Sequence, residues 1–273
     1  MRIRIELSHN EPKLMLPVED NELIVGLIYN ILGRGSASHA HFLHDEGYSI
    51  LNKEEKIKNF KLFTYSPFRF VGRNSLPVSN QCTIQTEEKR LHFYVSSSKE
   101  VFMEDLMIGC KDKENPKLLI WQQTIEIKKL QPLKQPLISD DMRFVMLSPI
   151  ICSKNNSDGK TVYLFPWDME FEEILYKNLC DKYQTTYGKP FGLSGEKFRL
   201  ELDHDYIERK SKVEKLFTLK KGEEGETEIK GTFAPFRLKA PRELMEIGYE
   251  CGFGEKNSMG FGMVKVDVAK QNR

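Results

Sequence analysis

The sequence predicts an α+β fold in which two halves of the chain repeat the element order β-α-β-β-α-β. Two observations lead to it: strands with alternating apolar residues flank helices with apolar residues at three- and four-residue spacing, and a similar order returns after a polar, proline-bearing stretch. This order is that of the ferredoxin-like or RRM-type unit. We therefore predict tandem ferredoxin-like domains at residues 1–128 and 142–273. No strong sequence repeat links the halves, so the prediction depends on the element order.

The elements of the first half follow from local patterns. Residues 2–7 alternate between polar and apolar side chains, which is typical of an amphipathic strand. A helix begins at Asn21, with Asp20 or Asn21 as its cap, and ends near Gly33, before a second helical piece. The further predictions for this half are the second helical piece at 36–44, strands at 58–65 and 91–96, a helix at 100–107 and a long strand at 118–127.

The second half begins after a predicted linker at 128–141. A strand that should span 227–238 is expected to be broken, because Pro235 cannot donate a ladder hydrogen bond. The other predicted elements are strands at 142–148, 198–202, 214–219 and 262–268, and helices at 171–183 and 242–251.

The most informative segment lies near the C-terminus, where four glycines alternate with aromatic and polar residues over residues 252–262, here called the glycine loop. Glycine accepts positive φ and lets another backbone come close. The tip offers hydrogen-bond donors suited to a phosphate backbone. The loop lacks the spacing of a Walker A loop and the third glycine of a dinucleotide fingerprint. It therefore predicts binding of an anionic polymer, with a tight hairpin that binds nothing as the alternative. The residues concerned are Gly252, Gly254, Lys256, Asn257, Ser258, Gly260 and Gly262.

Composition limits the classes of function. The formal net charge is only +1, which argues against a protein that coats nucleic acid over its whole surface but leaves room for a local basic patch. The five cysteines are scattered singly, so neither a zinc site nor a disulfide framework is indicated. No signal peptide and no membrane-spanning apolar run is recognised, so we expect a cytoplasmic protein with no membrane partner.

The glycine loop and several segments before it closely resemble Cas6, the family of endoribonucleases that process CRISPR precursor RNA. The segments occur in the family's order and span almost the whole chain. They are GLIYN at 26–30, FLH at 42–44, KLFTYS at 61–66, LSPI at 147–150, DKY at 181–183 and Tyr187 with Gly188. No one short segment is decisive, but their order together with the loop is specific.

The resemblance implies cleavage of CRISPR precursor RNA within its repeats without a metal or another cofactor. The ribose 2′-hydroxyl would attack, giving a 2′,3′-cyclic phosphate and a 5′-hydroxyl. It also implies a catalytic set of Tyr29, His44 and Lys61. A histidine can carry protons near neutral pH, a lysine can stabilise the charge that develops on the phosphate, and a tyrosine can orient a hydroxyl.

Spacing alone does not select the catalytic residues. His39 and His41 remain rivals or helpers of His44, and a metal pair of His41 and His44 at i, i+3 lacks an evident further ligand. The interval from His44 to Lys61 carries an insertion-like stretch, so Lys53, Lys56 and Lys58 are substitutes for Lys61. Arg237 is a further predicted RNA contact.

The expected partners are CRISPR repeat RNA, as precursor and as guide RNA, with a CRISPR interference complex and a homodimer left open. Two rival functions also stay open. One is a Cas6-like protein that grips repeat RNA but cuts it slowly or not at all. The other is a mononucleotide-binding enzyme that uses the glycine loop, which the missing Walker and fingerprint residues disfavour.

Overall fold

The computed structural model describes residues 1–52, 55–71, 78–79, 83–112, 117–192, 198–210, 212–219, 222 and 224–267. Backbone contacts divide the chain into two compact units, 1–47 with 65–135 and 48–64 with 136–273. The predicted domains of 1–128 and 142–273 stay a prediction, and they differ from these units chiefly in segment 48–64. No helix in the described part of the chain is long and apolar enough to cross a membrane.

Up to residue 135 the helices are α1 (Asn21–Gly35), α2 (Ala37–Asp45) and α3 (Glu100–Cys110). The strands are β1 (Arg2–His9), β2 (Leu14–Pro17), β3 (Tyr48–Asn52), β4 (Glu55–Phe60), β5 (Phe63–Tyr65), β6 (Arg69–Phe70), β7 (Val78–Ser79), β8 (Thr83–Thr86), β9 (Arg90–Ser97), β10 (Lys117–Ile120) and β11 (Gln123–Pro132). Beyond residue 135 the helices are α4 (Phe171–Tyr187), α5 (His204–Lys210) and α6 (Arg242–Cys251). The strands there are β12 (Asp141–Met146), β13 (Cys152–Asn155), β14 (Thr161–Leu164), β15 (Arg199–Leu202), β16 (Glu214–Leu219), β17 (Thr227–Thr232), β18 (Phe236–Lys239) and β19 (Val264–Val266).

The main sheet of the first unit has the order β10-β11-β1-β9-β5, with β6 also paired to β9. β1 lies between β9 and β11 and is antiparallel to both. Its apolar residues Ile3, Ile5 and Leu7 are fully buried, as the alternating pattern predicts. Helices α1 and α3 pack against each other. The division between the units falls within β5.

The sheet of the second unit has the order β15-β18-β12-β19, and helices α4 and α6 pack together beside it. In both sheets the first strand is central: β1 pairs with β9 and with β11, which comes after α3, and β12 pairs with β18 and with β19, which comes after α6. This is the arrangement of a ferredoxin-like βαββαβ unit. The predicted α+β class is therefore confirmed. The core of this unit includes Phe144, Phe171, Phe236, Leu238 and Phe253.

Three predicted segments are wrong in detail. Residues 58–65 are two strands, because Leu62 has a left-handed φ of 53° that interrupts the ladder. Residues 118–127 are a hairpin of β10 and β11 that turns at Trp121 and Gln122, both with positive φ. The linker predicted at 128–141 starts late, because β11 pairs with β1 as far as Pro132. The break predicted within 227–238 is confirmed, because β17 and β18 are separate strands with Pro235 between them.

Candidate RNA-binding and catalytic sites

The glycine loop joins α6 to β19, and its path depends on close approaches of this chain's own backbone. Gly254 and Gly262 have φ of 71° and 74°. A Cβ atom added at Gly254 would lie 2.3 Å from the carbonyl oxygen of Ile151, and one at Gly262 would lie 2.0 Å from that of Phe253. The sequence predicted a backbone approaching the glycines from another chain. The structure shows that the atoms close to these glycines are backbone atoms of the same chain, so the glycines are needed for the loop to adopt its own conformation.

The loop is anchored by the segment that follows β12. The hydroxyl oxygen of Ser148 accepts a hydrogen bond from the amide of Met263 at 2.9 Å. The carbonyl of Pro149 accepts one from the amide of Gly262 at 2.7 Å. The carbonyl of Ile151 accepts one from the amide of Glu255 at 2.8 Å. The LSPI segment therefore gives the loop its shape.

The KLFTYS segment supplies a further anchor. The Thr64 hydroxyl donates a hydrogen bond to the carbonyl of Phe261 at 3.0 Å, and both groups are buried. The KLFTYS and LSPI segments, which lie far apart in the sequence, thus both contact the glycine loop within the second unit.

Lys182 supports the loop from inside the protein. It lies on α4 and is only 2% exposed, and its Nζ donates to the carbonyl oxygens of Gly252 and Gly254 at 2.7 and 2.6 Å. Gly252 is the C-cap of α6, where the helix dipole favours a positive charge. Backbone carbonyls that would otherwise be buried without a donor are satisfied in this way. Lys182 is therefore a positioning residue for the first turn of the loop.

Burial lowers the pKa of Lys182 to about 7, because an ammonium ion is poorly solvated there. The charged and titratable groups that face Lys182 shift its pKa in both directions. Lys58 lowers the pKa further, whereas Cys251, Cys152 and Glu255 raise it. The carboxylate of Glu255 is itself held by the hydroxyl of Ser153 at 2.6 Å.

The three residues at the tip of the loop differ in what they can offer a ligand. The side-chain amide of Asn257 is buried and donates to the carbonyls of Phe253 and Phe261 at 3.2 and 3.0 Å. It therefore stabilises the loop, whereas its predicted role was to donate to a phosphate. Lys256 is exposed and has a left-handed φ of 55°, and Ser258 is half-buried. A strained backbone of this kind is often found at binding sites.

A cleft of about 310 Å³ in the second unit, here called the lysine cleft, brings Lys61 to the tip of the glycine loop. Lys58, Lys61, Lys182 and Lys256 line it, with Asn257 and Ser258. Lys61 precedes Leu62 in the break between β4 and β5, so it lies outside both strands, although the sequence predicted it within one strand at 58–65. An anionic group would enter a region where lysines outnumber the single acidic residue.

The rival lysines are placed differently. The ammonium of Lys58 lies 3.3 Å from a carboxylate oxygen of Asp181 and 5.0 Å from the centre of the Phe60 ring. Lys53 and the side chain of Lys56 lie outside the described residues. Lys58 is therefore engaged in an ion pair.

Tyr29 and His44 lie together in the first unit, on α1 and near the end of α2. Their rings are 5.7 Å apart between centroids in an edge-to-face arrangement. The Nδ1 atom of His44 lies 2.7 Å from the Asp45 carboxylate, and the imidazole is 71% exposed. With Nδ1 hydrogen-bonded to Asp45, proton exchange with a substrate would fall to Nε2.

The hydroxyl of Tyr29 stays protonated at neutral pH. Burial, and secondly the charge of Asp45, raise its pKa to about 12. It lies 3.4 Å from the carbonyl oxygen of Leu43. Tyr29 can therefore donate a hydrogen bond and orient a ligand, but it cannot serve as a base near pH 7.

The remaining predicted residues have other surroundings. The Nδ1 atom of His39 lies 2.6 Å from the Asp105 carboxylate, and both side chains are largely buried. This contact connects α2 to α3, which is typical of a residue that stabilises the fold. His41 is exposed. Arg237 makes a two-pronged pair with Asp141, with both distances 2.7 Å, and this pair holds the pKa of Asp141 below its usual range. Its guanidinium is already engaged by a carboxylate.

Sequence reasoning missed Lys182 and Asn178 as parts of this site. Both fall on the buried stripe of α4 with Phe171, Leu175 and Leu179. A signal was present, because a lysine and an asparagine at four-residue spacing on an apolar helix face have a specific reason to be there. Among the described residues, no three His, Cys, Asp or Glu side chains form a group that could hold a metal.

Comparison with known proteins connects this geometry to one family. The family model described as "CRISPR associated protein Cas6, C-terminal" matches residues 131–266. The chain is 30% identical to the CRISPR-associated endoribonuclease Cas6 of Pyrococcus furiosus, over 99% of this chain and 91% of the relative. It is 28% identical to the CRISPR-associated endoribonuclease Cas6 1 of Methanocaldococcus jannaschii, over 100% of this chain and 95% of the relative.

A solved structure described as "CRISPR associated protein Cas6" superimposes with a TM-score of 0.71 and 26% identity, covering 97% of this chain and 98% of the other. Similarity of sequence and of fold therefore extends over nearly the full length of the chain.

Proposed function

We propose, since this chain belongs to the Cas6 family of CRISPR-associated endoribonucleases, that it cleaves CRISPR precursor RNA within its repeats to give guide RNAs. The curated relatives carry the name of such endoribonucleases. The structural observation that supports the proposal most is the lysine cleft, which combines Lys61 with the exposed Lys256 at the tip of the glycine loop.

We propose that the ribose 2′-hydroxyl next to the scissile phosphate is the nucleophile, so that the protein supplies no covalent nucleophile. A base removes the proton of this hydroxyl, and an acid protonates the departing 5′-oxygen. The O2′–P bond forms as the P–O5′ bond breaks, which leaves a 2′,3′-cyclic phosphate on one fragment and a 5′-hydroxyl on the other. The reaction requires no metal ion.

Each catalytic residue receives one role. His44 transfers a proton through Nε2, and its hydrogen bond to Asp45 fixes the tautomer that this requires. Tyr29, held protonated by burial, donates a hydrogen bond that orients the attacking or departing oxygen. Lys61 stabilises the negative charge that develops on the phosphate oxygens.

The glycine loop grips the RNA backbone in this proposal. Lys256 and Ser258 contact phosphates, while Gly252, Gly254, Gly260 and Gly262 give the loop a path along which the backbone of the RNA can pass. Asn257 contributes through the shape of the loop. Such contacts predict an affinity that falls as salt concentration rises. The product remains bound and is delivered to a CRISPR interference complex in the cytoplasm.

The proposal is tested by incubating the protein with labelled cognate repeat RNA in excess EDTA, beside the same RNA with a 2′-deoxy nucleotide at the cleavage position. Cutting of the all-ribose RNA alone, with a cyclic phosphate on the product, is expected. Binding without cutting would favour a protein that only holds repeat RNA. Cutting of both RNAs, or cutting only after metal is restored, would refute the mechanism.

A further inference from the structure

Asn178 is a buried polar side chain whose oxygen has nothing to bind within the described part of the chain. It lies on α4, is 3% exposed and lines the lysine cleft. Its Oδ1 atom is buried and accepts no hydrogen bond from any described residue. A buried acceptor without a donor destabilises a folded protein, so such groups are rare outside functional sites.

Nearby donors make their hydrogen bonds to groups other than this oxygen. Lys182 follows one helical turn later and already donates to the carbonyls of Gly252 and Gly254. Lys58 is paired with Asp181. The amide of Asn257 is used by two carbonyls of the glycine loop. Asn178 therefore borders the lysine cleft with a buried acceptor that none of the described residues satisfies.

The chemistry of the acceptor restricts what can bind it. A carboxamide oxygen requires a donor, and an ionised phosphodiester has none. Ribose and base groups do carry donors, namely the 2′-hydroxyl and the N–H groups of the base edges. The lysines at the cleft would hold the phosphate, and Asn178 would read a donor on the nucleotide attached to it.

We propose that Asn178 is a specificity-determining residue that accepts one hydrogen bond from a ribose hydroxyl or a base N–H of RNA bound in the lysine cleft. This inference rests on the proposed function, because it requires the cleft to bind repeat RNA. It goes beyond it by assigning a reading role to Asn178, which lies outside the segments that resemble Cas6. Free protein carries an unsatisfied acceptor, and bound RNA satisfies it.

The experiment measures equilibrium binding of the full chain to repeat RNAs in which one donor at a time is removed. One series carries single 2′-deoxy nucleotides, and a second carries base analogues that lack one N–H or amino group. Each RNA is measured with the wild type, with Asn178→Leu and with Asn59→Leu. Asn59 is a matched amide in the same cleft, but its oxygen already accepts from the hydroxyl of Ser49 at 3.0 Å.

For the wild type we expect one donor whose removal weakens binding about 5- to 100-fold, since loss of a buried hydrogen bond has that size. For Asn178→Leu the same removal should change binding less than twofold, whereas Asn59→Leu should retain the wild-type penalty. The series in which the sensitive position occurs tells whether the donor is a ribose hydroxyl or a base N–H.

A second readout separates this role from a structural one. If Asn178 has no partner in the free protein, Asn178→Leu should leave the thermal unfolding midpoint unchanged or raise it. A lowered midpoint together with unchanged discrimination among the RNAs would mean that Asn178 binds a buried water, and the inference would be wrong. Wild-type binding to repeat RNA with no donor sensitive to Asn178→Leu would refute the inference alone. Failure of the wild type to bind repeat RNA would refute the proposed function as well.

Discussion

The glycine loop and the end of α2 are built in opposite ways. Much of the loop backbone is buried, and it is hydrogen-bonded to the LSPI segment, to Thr64 and to Lys182. The imidazole of His44 is largely exposed and is held by its chain neighbour Asp45 and by ring contact with Tyr29. One region is fixed by many distant contacts, and the other by a few contacts along one short helix and its neighbour.

The difference indicates which property each region contributes. A loop that must match the shape of an RNA backbone benefits from being formed before the RNA arrives, because ordering it on binding would reduce affinity. A group that exchanges protons with a substrate needs access to that substrate. We therefore expect substitutions in the glycine loop to lower stability and RNA binding, and substitutions at the end of α2 to lower the cleavage rate.

The largest effect is expected at His44. His44→Ala should slow cleavage about 10²- to 10⁴-fold, which is the usual contribution of a general acid or base. Because the side chain is exposed, the free energy of unfolding should change by no more than about 0.5 kcal/mol. Single-turnover cleavage, equilibrium RNA binding and thermal unfolding are measured on the same preparation.

His39→Ala is the matched control on the same helix. It removes the partner of Asp105 in a largely buried pair, so it should lower stability by about 1–3 kcal/mol while the rate falls far less than with His44→Ala. If His44→Ala weakened binding by as much as it lowered the rate, His44 would be an RNA contact and the contrast between the two regions would be lost.

The next effect concerns the shape of the glycine loop. Gly262→Ala places a Cβ atom 2.0 Å from the carbonyl oxygen of Phe253 at a φ of 74°, so strain and steric overlap add together. We expect a loss of roughly 2–4 kcal/mol of stability and much weaker RNA binding. Chemical denaturation and a binding titration measure the two quantities.

Gly159→Ala isolates the contribution of backbone strain. Gly159 has a φ of 75°, but nothing lies within 4 Å of a Cβ atom added there. This variant should lose only about 1–2 kcal/mol and keep its affinity for RNA. Equal losses in the two variants would mean that crowding at the loop is unimportant.

The sequence predicted the order of elements well because local periodicity determines them. The alternation in β1 and the apolar spacing of α1 and α4 are strong signals, and these elements are found where expected. The breaks were missed. Leu62 and Trp121 adopt positive φ although neither is a residue type that favours it, so composition gives no warning of the interruption at 58–65 or of the hairpin at 118–127.

The site was predictable only in part, for a similar reason. The glycines of the loop were identified from their own spacing, whereas Tyr29 and His44 were chosen through the resemblance of short segments. The inward side chain of Asn257 and the supporting role of Lys182 depend on contacts between residues 4 to 72 positions apart. Periodicity places Lys182 on the buried face of α4, but only the structure shows the two carbonyls that make a buried lysine tolerable.

The effect that is smallest at any one pH step, and the one most specific to the loop, concerns the charge of Lys182. The folded protein releases this proton near pH 7, whereas an unfolded lysine keeps it to about 10.4. Between these values the unfolded state binds more protons, so wild-type stability should rise with pH by up to about 1 kcal/mol per pH unit from this residue. Burial raises the pKa of the Cys152 thiol well above its usual range in the folded protein, so its contribution has the opposite sign, and it cancels when the wild type is compared with a Lys182 variant.

Lys182→Met removes this dependence and leaves the carbonyls of Gly252 and Gly254 without a donor. The neutral amine of the wild type still carries two N–H groups for them, so the stability advantage of the wild type over Lys182→Met should grow as pH rises from about 7 to 10. Denaturation midpoints across this range measure it, with Lys177→Met, at an exposed position of α4, as the control. A stability difference that does not change with pH would show that Lys182 does not have a lowered pKa in the folded protein. The glycine loop would then not be stabilised by a buried neutral lysine, and this part of its contrast with the end of α2 would be wrong.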